Sequence, residues 1–148
     1  MGILGLGSVG KEIANRGKQF GMDVLGLKRT PEAVEDVDQV FGHEDIRRMI
    51  PQVDYLINTL PLTEETYHLL REGELSRLKE EAIFFNIGRG KTIDEKALIQ
   101  ILKARKIRAV LDVFEEEPLS PESELWNLEN VIITPHVSGI NIPEEICE

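Results

Sequence analysis

The stretch Met1–Thr30, MGILGLGSVGKEIANRGKQFGMDVLGLKRT, decides the fold. It reads as strand, glycine turn, helix, strand. Gly5, Gly7 and Gly10 spell G-x-G-x-x-G directly after the apolar pair Ile3-Leu4. In such a turn the first glycine permits a sharp exit from the strand. The second lets the backbone approach a pyrophosphate, and the third lets the helix pack close against the sheet. A helix that starts there points free N–H groups and the positive end of its dipole at the phosphates. The motif alone is a weak signal. Here its context is complete, with a strand before it, an amphipathic helix after it, and a second apolar strand, Asp23–Leu27. The helix is expected over residues 11–20, with Ile13, Ala14, Gly17 and Phe20 on one face and Gly21 at its end.

The same alternation continues along the chain. Val40-Phe41 reads as a short strand, and Glu44–Ile50 as a short helix ended by Pro51. Val53–Leu60 reads as a strong central strand. Thr63 is expected to cap a helix beginning Thr63-Glu64-Glu65-Thr66, and Leu75–Glu80 is a further short helix. Ala82–Ile87, Arg108–Phe114 and Val131–Thr134 read as strands, with a helix capped by Asp94 running to about Arg105. From Pro143 the tail reads as the first turn of another helix. Strands alternating with helices predict an α/β fold. The expectation is a Rossmann-type doubly wound parallel sheet with helices on both faces, one dinucleotide-binding domain over residues 1–148. Lys28-Arg29, Thr59 to Thr63, Arg89, Glu117 and His136 all follow strand C-termini, the edge where open α/β sheets take ligands. His43 and His68 are read as lying off that edge.

The chain has 148 residues and a formal net charge of -10. That charge argues against nucleic acid or an anionic membrane as a partner. Cys147 is the only cysteine, so no intrachain disulfide is possible. No run resembles a signal peptide or a membrane span, and a cytoplasmic protein is expected. No residue is read as a metal ligand.

A dinucleotide site of this kind that takes NAD carries an acid at the end of the second strand, on the ribose hydroxyls. Here that position holds Lys28, followed by Arg29 and Thr30, with no acid. A carboxylate would repel a 2′-phosphate, whereas a guanidinium binds one in bidentate fashion and a lysine adds a point charge. NADP is therefore expected over NAD, with Arg29 as main partner, Lys28 as support and Thr30 as hydroxyl donor.

His136 follows Thr134-Pro135 at a strand end, and an imidazole can give and take a proton near neutrality. Glu117 stands before Pro118, and a carboxylate against an imidazole stabilises the imidazolium. Arg89, between Gly88 and Gly90, offers a fixed cation for a substrate carboxylate or carbonyl. From spacing alone these three side chains could be unrelated.

Five motifs in order resemble the D-isomer-specific 2-hydroxyacid dehydrogenases. They are Gly-Leu-Gly-Ser-Val-Gly at 5–10, Leu-Pro-Leu-Thr at 60–63, Asn-Ile-Gly-Arg-Gly at 86–90, Asp-Val-Phe-Glu-Glu-Glu-Pro at 112–118 and Thr-Pro-His-Val-Ser-Gly at 134–139. The resemblance implies hydride transfer between a nicotinamide and a small 2-oxo or 2-hydroxy acid. Arg89 would bind the substrate carboxylate and carbonyl, Glu117 would orient and charge His136, and His136 would be the general acid or base. Asp112 and the backbone at Ile87-Gly88 would hold the nicotinamide carboxamide. Ser8-Val9 would meet the pyrophosphate, Thr59 and Pro61 would line the nicotinamide side, and His136 and Gly139 would border the cofactor. Family members are commonly homodimers through this domain.

Two departures stand out. Lys28-Arg29 resembles the NADPH-using glyoxylate/hydroxypyruvate reductases. The family's second domain, which holds other substrate contacts, has no counterpart in this sequence, so these residues alone are expected to bind cofactor and turn over poorly. Two other readings share the fold. A beta-hydroxyacid dehydrogenase would use a catalytic lysine, and a redox sensor or co-repressor would bind dinucleotide without catalysis.

Overall fold

In the computed structural model, which describes residues 1–139, the opening unit is strand β1 (Gly2–Leu4), helix α1 (Ser8–Gln19) and strand β2 (Leu25–Leu27). There follow β3 (Gln39–Phe41), α2 (Ile46–Met49), β4 (Tyr55–Asn58), α3 (Glu72–Leu75), β5 (Ile83–Asn86), α4 (Glu95–Ala104), β6 (Arg108–Leu111) and β7 (Val131–Ile133). The strands form one parallel sheet in the order β3-β2-β1-β4-β5-β6-β7. In register, Leu4 lies between Leu27 and Asn58. The order reverses between β1 and β4, which opens a crevice at the strand C-termini there.

Both faces of the sheet are covered. Ile3 and Leu4 are each fully buried although successive side chains point to opposite faces. Ile3 packs with Leu6, Ala14 and Val24 under α1, while Leu4 joins Leu56, Leu70 and Phe84 in the larger core. That is why the parallel strands read as continuous apolar runs. Asp94 caps α4 as expected, accepting from the Ala97 N–H at 3.0 Å, and Leu98, Ile101 and Leu102 face inward.

Several boundaries differ from the sequence expectations. Helix α1 begins at Ser8, with Gly7 as its N-cap, because the turn itself supplies the first helical N–H groups. Phe20 lies beyond the last turn and is 82% exposed, so it does not share the buried face of Ala14 and Gly17. The second helix ends at Met49, ahead of Pro51 as expected, and begins at Ile46 rather than Glu44; Pro51 itself sits inside a 3-10 turn, Ile50–Gln52, where its missing N–H costs nothing. The stretch after Pro61 is a series of turns. There the Thr63 and Thr66 N–H groups each donate to the other's Oγ1, at 2.8 and 3.2 Å, so the expected capping bond from Thr63 forms. Only one turn follows, closed by the Tyr67 N–H on the Thr63 carbonyl at 2.9 Å, and no helix continues it. The expected tail helix from Pro143, and Cys147, lie outside the described residues. Among the described residues no helix is long and apolar enough to cross a membrane, and no group of three His, Cys, Asp or Glu could hold a metal.

Candidate active site

The glycine turn is locked by close packing. Gly5 adopts a φ of +96°, and a Cβ on Gly10 would stand 2.0 Å from the Gly5 carbonyl oxygen. Only at this separation does α1 press against the end of β1. Thr59, expected on the nicotinamide side, donates its hydroxyl towards the carbonyls of Leu4 and Gly5, at 3.1 and 2.8 Å, and ties β4 to the turn. The start of α1 has no side-chain cap and no acid in its first turn, and Gly7 faces open space. Gly7, Ser8 and Val9 are exposed. This N-terminus offers its N–H groups to an anion, so the residues present fit the pyrophosphate of a dinucleotide.

At the end of β2, Lys28 pairs with Glu32, and Arg29 Nη2 lies 3.0 Å from Glu65 Oε2. Thr30 is exposed. A hollow of about 560 Å³ opens beside them, lined by Ser8, Lys11, Asn15, Lys28, Glu32 and Val34 among others. Lys28 is the member of the basic pair that lines it, and the acids Glu12, Glu35 and Asp36 line it as well.

The loops after β4 and β5 are joined by a buried amide network that sequence reasoning missed. Asn58 Nδ2 donates to Asn86 Oδ1 at 2.8 Å and to Thr92 Oγ1 at 2.7 Å, while Thr92 Oγ1 donates to the Arg89 carbonyl at 2.6 Å. The Leu60 N–H donates back to Asn58 Oδ1 at 3.2 Å. The signal was present in the sequence: a polar amide at the end of each of two apolar strands. This network fixes the backbone of Leu60-Pro61 and of Ile87-Gly88-Arg89. A Cβ on Gly88 would lie 2.8 Å from the Leu60 carbonyl oxygen, and one on Gly90 only 1.8 Å from that of Phe114. The Arg89 loop is thereby seated on the loop that leads to Glu117. Its guanidinium folds back to its neighbour, Nη1 donating to the Gly88 carbonyl at 2.7 Å.

His136 and Glu117 are brought together, Nδ1 to Oε2 at 2.7 Å, from positions 19 residues apart. Glu117 Oε1 accepts from the Phe114 N–H at 3.1 Å, which fixes the carboxylate from its own loop. Burial works to raise the Glu117 carboxyl, but the His136 bond and the Phe114 N–H outweigh it and hold it below the ordinary glutamate value. With Nδ1 on the carboxylate, Nε2 is the nitrogen left for proton exchange. His136 has a φ of +52°, uncommon for a side chain with a Cβ. Its N–H is held by the carbonyls of Asp112 and Thr134, at 2.9 and 3.1 Å. An apolar groove of about 460 Å³, lined by Phe114, Leu119, Trp126 and Pro135, lies against the pair.

Asp112 has a task in the structure beyond the carboxamide contact expected of it. Its buried carboxylate accepts from the Thr134 hydroxyl and from the N–H groups of Val137 and Ser138, each N–H at 2.9 Å. Burial alone would raise this carboxyl; the bonds from Ser138, Thr134 and Val137 bring it down to about 2. The result is a clamp on the loop that carries His136, with exposed Gly139 beyond it. His68 is also not remote. It stacks on Tyr67 with centroids 4.1 Å apart, and its N–H donates to the Lys91 carbonyl at 2.9 Å. Its Nε2 lies 2.8 Å from Glu115 Oε1, an ion-pair distance without hydrogen-bond alignment. Glu115 and Glu95, at the start of α4, each donate a backbone N–H to the other's carboxylate, at 3.1 and 3.0 Å.

Residues 1–138 match the model of the D-isomer specific 2-hydroxyacid dehydrogenase, NAD binding domain. A glyoxylate reductase of Thermococcus gammatolerans is 45% identical over 142 residues, which cover 94% of this chain and 42% of that protein. A glyoxylate/hydroxypyruvate reductase B of Yersinia pestis is 43% identical over 143 residues, 94% of this chain and 43% of that one. The chain thus spans less than half the length of these curated relatives. A crystal structure of a D-isomer specific 2-hydroxyacid dehydrogenase from Xanthobacter autotrophicus Py2, in complex with NADPH and MES, superposes with a TM-score of 0.91 at 42% identity. That match covers 97% of this chain and 60% of the solved one.

Proposed function

The chain belongs to the family of D-isomer-specific 2-hydroxyacid dehydrogenases, and we propose that it is the cofactor domain of an NADPH-dependent reductase of small 2-oxo acids. The observation that carries this reading is the 2.7 Å bond between His136 and Glu117 on the ligand-binding edge of the sheet. The reductase names of the relatives and the NADPH in the Xanthobacter structure point the same way.

When bound, NADPH supplies the hydride, and the protein's residues do the rest. The N-terminus of α1, with Gly7, Ser8 and Val9, holds the pyrophosphate. Arg29, Lys28 and Thr30 take the 2′-phosphate. Arg89 swings from the Gly88 carbonyl to grip the carboxylate of the acid and polarise its carbonyl. His136 Nε2 gives a proton to the carbonyl oxygen as it becomes a hydroxyl, while Glu117 stabilises the imidazolium that precedes transfer. Asp112 keeps the histidine loop in register. Further substrate contacts come from the second domain that the resemblance implies, so residues 1–148 alone bind NADPH but turn over poorly. A cytoplasmic homodimer, without nucleic-acid or membrane partners, completes the proposal.

The test is NADPH oxidation with glyoxylate or hydroxypyruvate by the whole protein that contains this domain. Exchange of His136 to Ala should lower kcat by about 10²-fold or more while the NADPH Kd is kept. Turnover that survives the exchange would refute the catalytic reading and favour a dinucleotide sensor.

A further inference from the structure

Both cations at the end of β2 already hold a carboxylate. Lys28 pairs with Glu32, four residues on, and Arg29 pairs with Glu65 from the turns after β4. Strand β1 lies between β2 and β4 in the sheet, so the Arg29–Glu65 link joins the two loops that flank the glycine turn. The other pair, Lys28 with Glu32, lines the hollow beside the start of α1, together with Ser8 and Lys11. We propose that Glu65, seconded by Glu32, is a specificity-determining residue: it occupies Arg29 in place of the 2′-phosphate and must be exchanged for it when NADPH binds. This deepens the proposed function and rests on its assignment of Arg29 to that phosphate.

The exchange is favoured by charge. A phosphate monoester carries more negative charge than a carboxylate and matches the guanidinium fork with more oxygens. Arg29 and Glu65 are 72% and 56% exposed, so the pair is a weak surface contact that a phosphate can displace. A dinucleotide without the 2′-phosphate has nothing to offer Arg29 in return for Glu65. The two carboxylates therefore moderate NADPH affinity and leave NADH largely unaffected.

The experiment is a fluorescence titration of the protein with NADPH and with NADH, for wild type, Glu65→Gln, Glu32→Gln and Arg29→Ala. Removing the Glu65 charge should tighten NADPH about two- to fivefold and change NADH by less, so the Kd ratio moves towards NADPH. Glu32→Gln should act in the same direction, more weakly, because Lys28 is a point charge. Arg29→Ala should erase the preference. If Arg29→Ala erases it while Glu65→Gln leaves the ratio unchanged or lowers it, the exchange is refuted and the cofactor reading stands. If Arg29→Ala leaves the ratio unchanged, the reading it rests on has failed.

Discussion

Exchange of Asp112 to Asn isolates the clamp that holds the His136 loop. The carboxylate is 1% exposed and accepts from the Thr134 hydroxyl and from two backbone N–H groups. Those donors lower its carboxyl from 3.8 to about 2. At 1.36 kcal/mol per pKa unit, this shift is worth about 2 kcal/mol of folding stability. A depressed carboxyl contributes fully above its unfolded value and loses that contribution as pH falls through its folded value. The stabilisation is therefore complete at pH 7, begins to fade near pH 4, and retains roughly half its size at pH 3. Asn keeps the shape but cannot ionise, and its amide turns a donor towards a backbone N–H. Urea unfolding of wild type and Asp112→Asn across pH 3 to 7 measures the difference directly, and other carboxylates cancel in it. We expect a gap of about 2 kcal/mol at pH 7 that narrows below pH 4. A gap that is absent, or constant across that range, would refute the clamp.

Further predictions concern the turn, the network and the loop contact. Gly10→Ala should cost about 1–3 kcal/mol in urea unfolding and weaken NADPH binding, because its Cβ would meet the Gly5 carbonyl at 2.0 Å. Asn58→Leu removes the donor to Asn86 and Thr92 in a fully buried site. It should cost about 1–3 kcal/mol, read as a lower urea midpoint. Gly90→Ala would place a Cβ 1.8 Å from the Phe114 carbonyl. The expected result is a lower Tm together with an altered His136 signal in histidine NMR, because the Arg89 and Glu117 loops are pushed apart.

The glycine spacing at Gly5, Gly7 and Gly10 and the apolar strand runs made the sheet legible, because the central strand β1 is buried on both faces. The Glu117–His136 pair was legible only through the family motifs, since 19 residues separate the two and no local periodicity joins them. After Pro61 the capping bonds between Thr63 and Thr66 form as the sequence suggests, but no helix follows, because the N–H groups of His68 and Leu70 go to the carbonyls of Lys91 and Thr92, partners that sequence spacing does not show. Helical periodicity puts Phe20 on the buried face, but periodicity carries no information about where the last turn ends, and Phe20 lies just beyond it. The partners of Arg29 and His68 were invisible for a simpler reason. Glu65 and Glu115 reach them from other strand ends, and only the strand order brings those ends together.

The most direct test is a crystal structure of this chain with NADPH. We expect the pyrophosphate on the start of α1, the 2′-phosphate on Arg29, and the nicotinamide ring within contact of His136 Nε2, with the Glu117 bond retained. A nicotinamide directed away from His136, or a cofactor bound elsewhere than the glycine turn, would contradict the proposed chemistry.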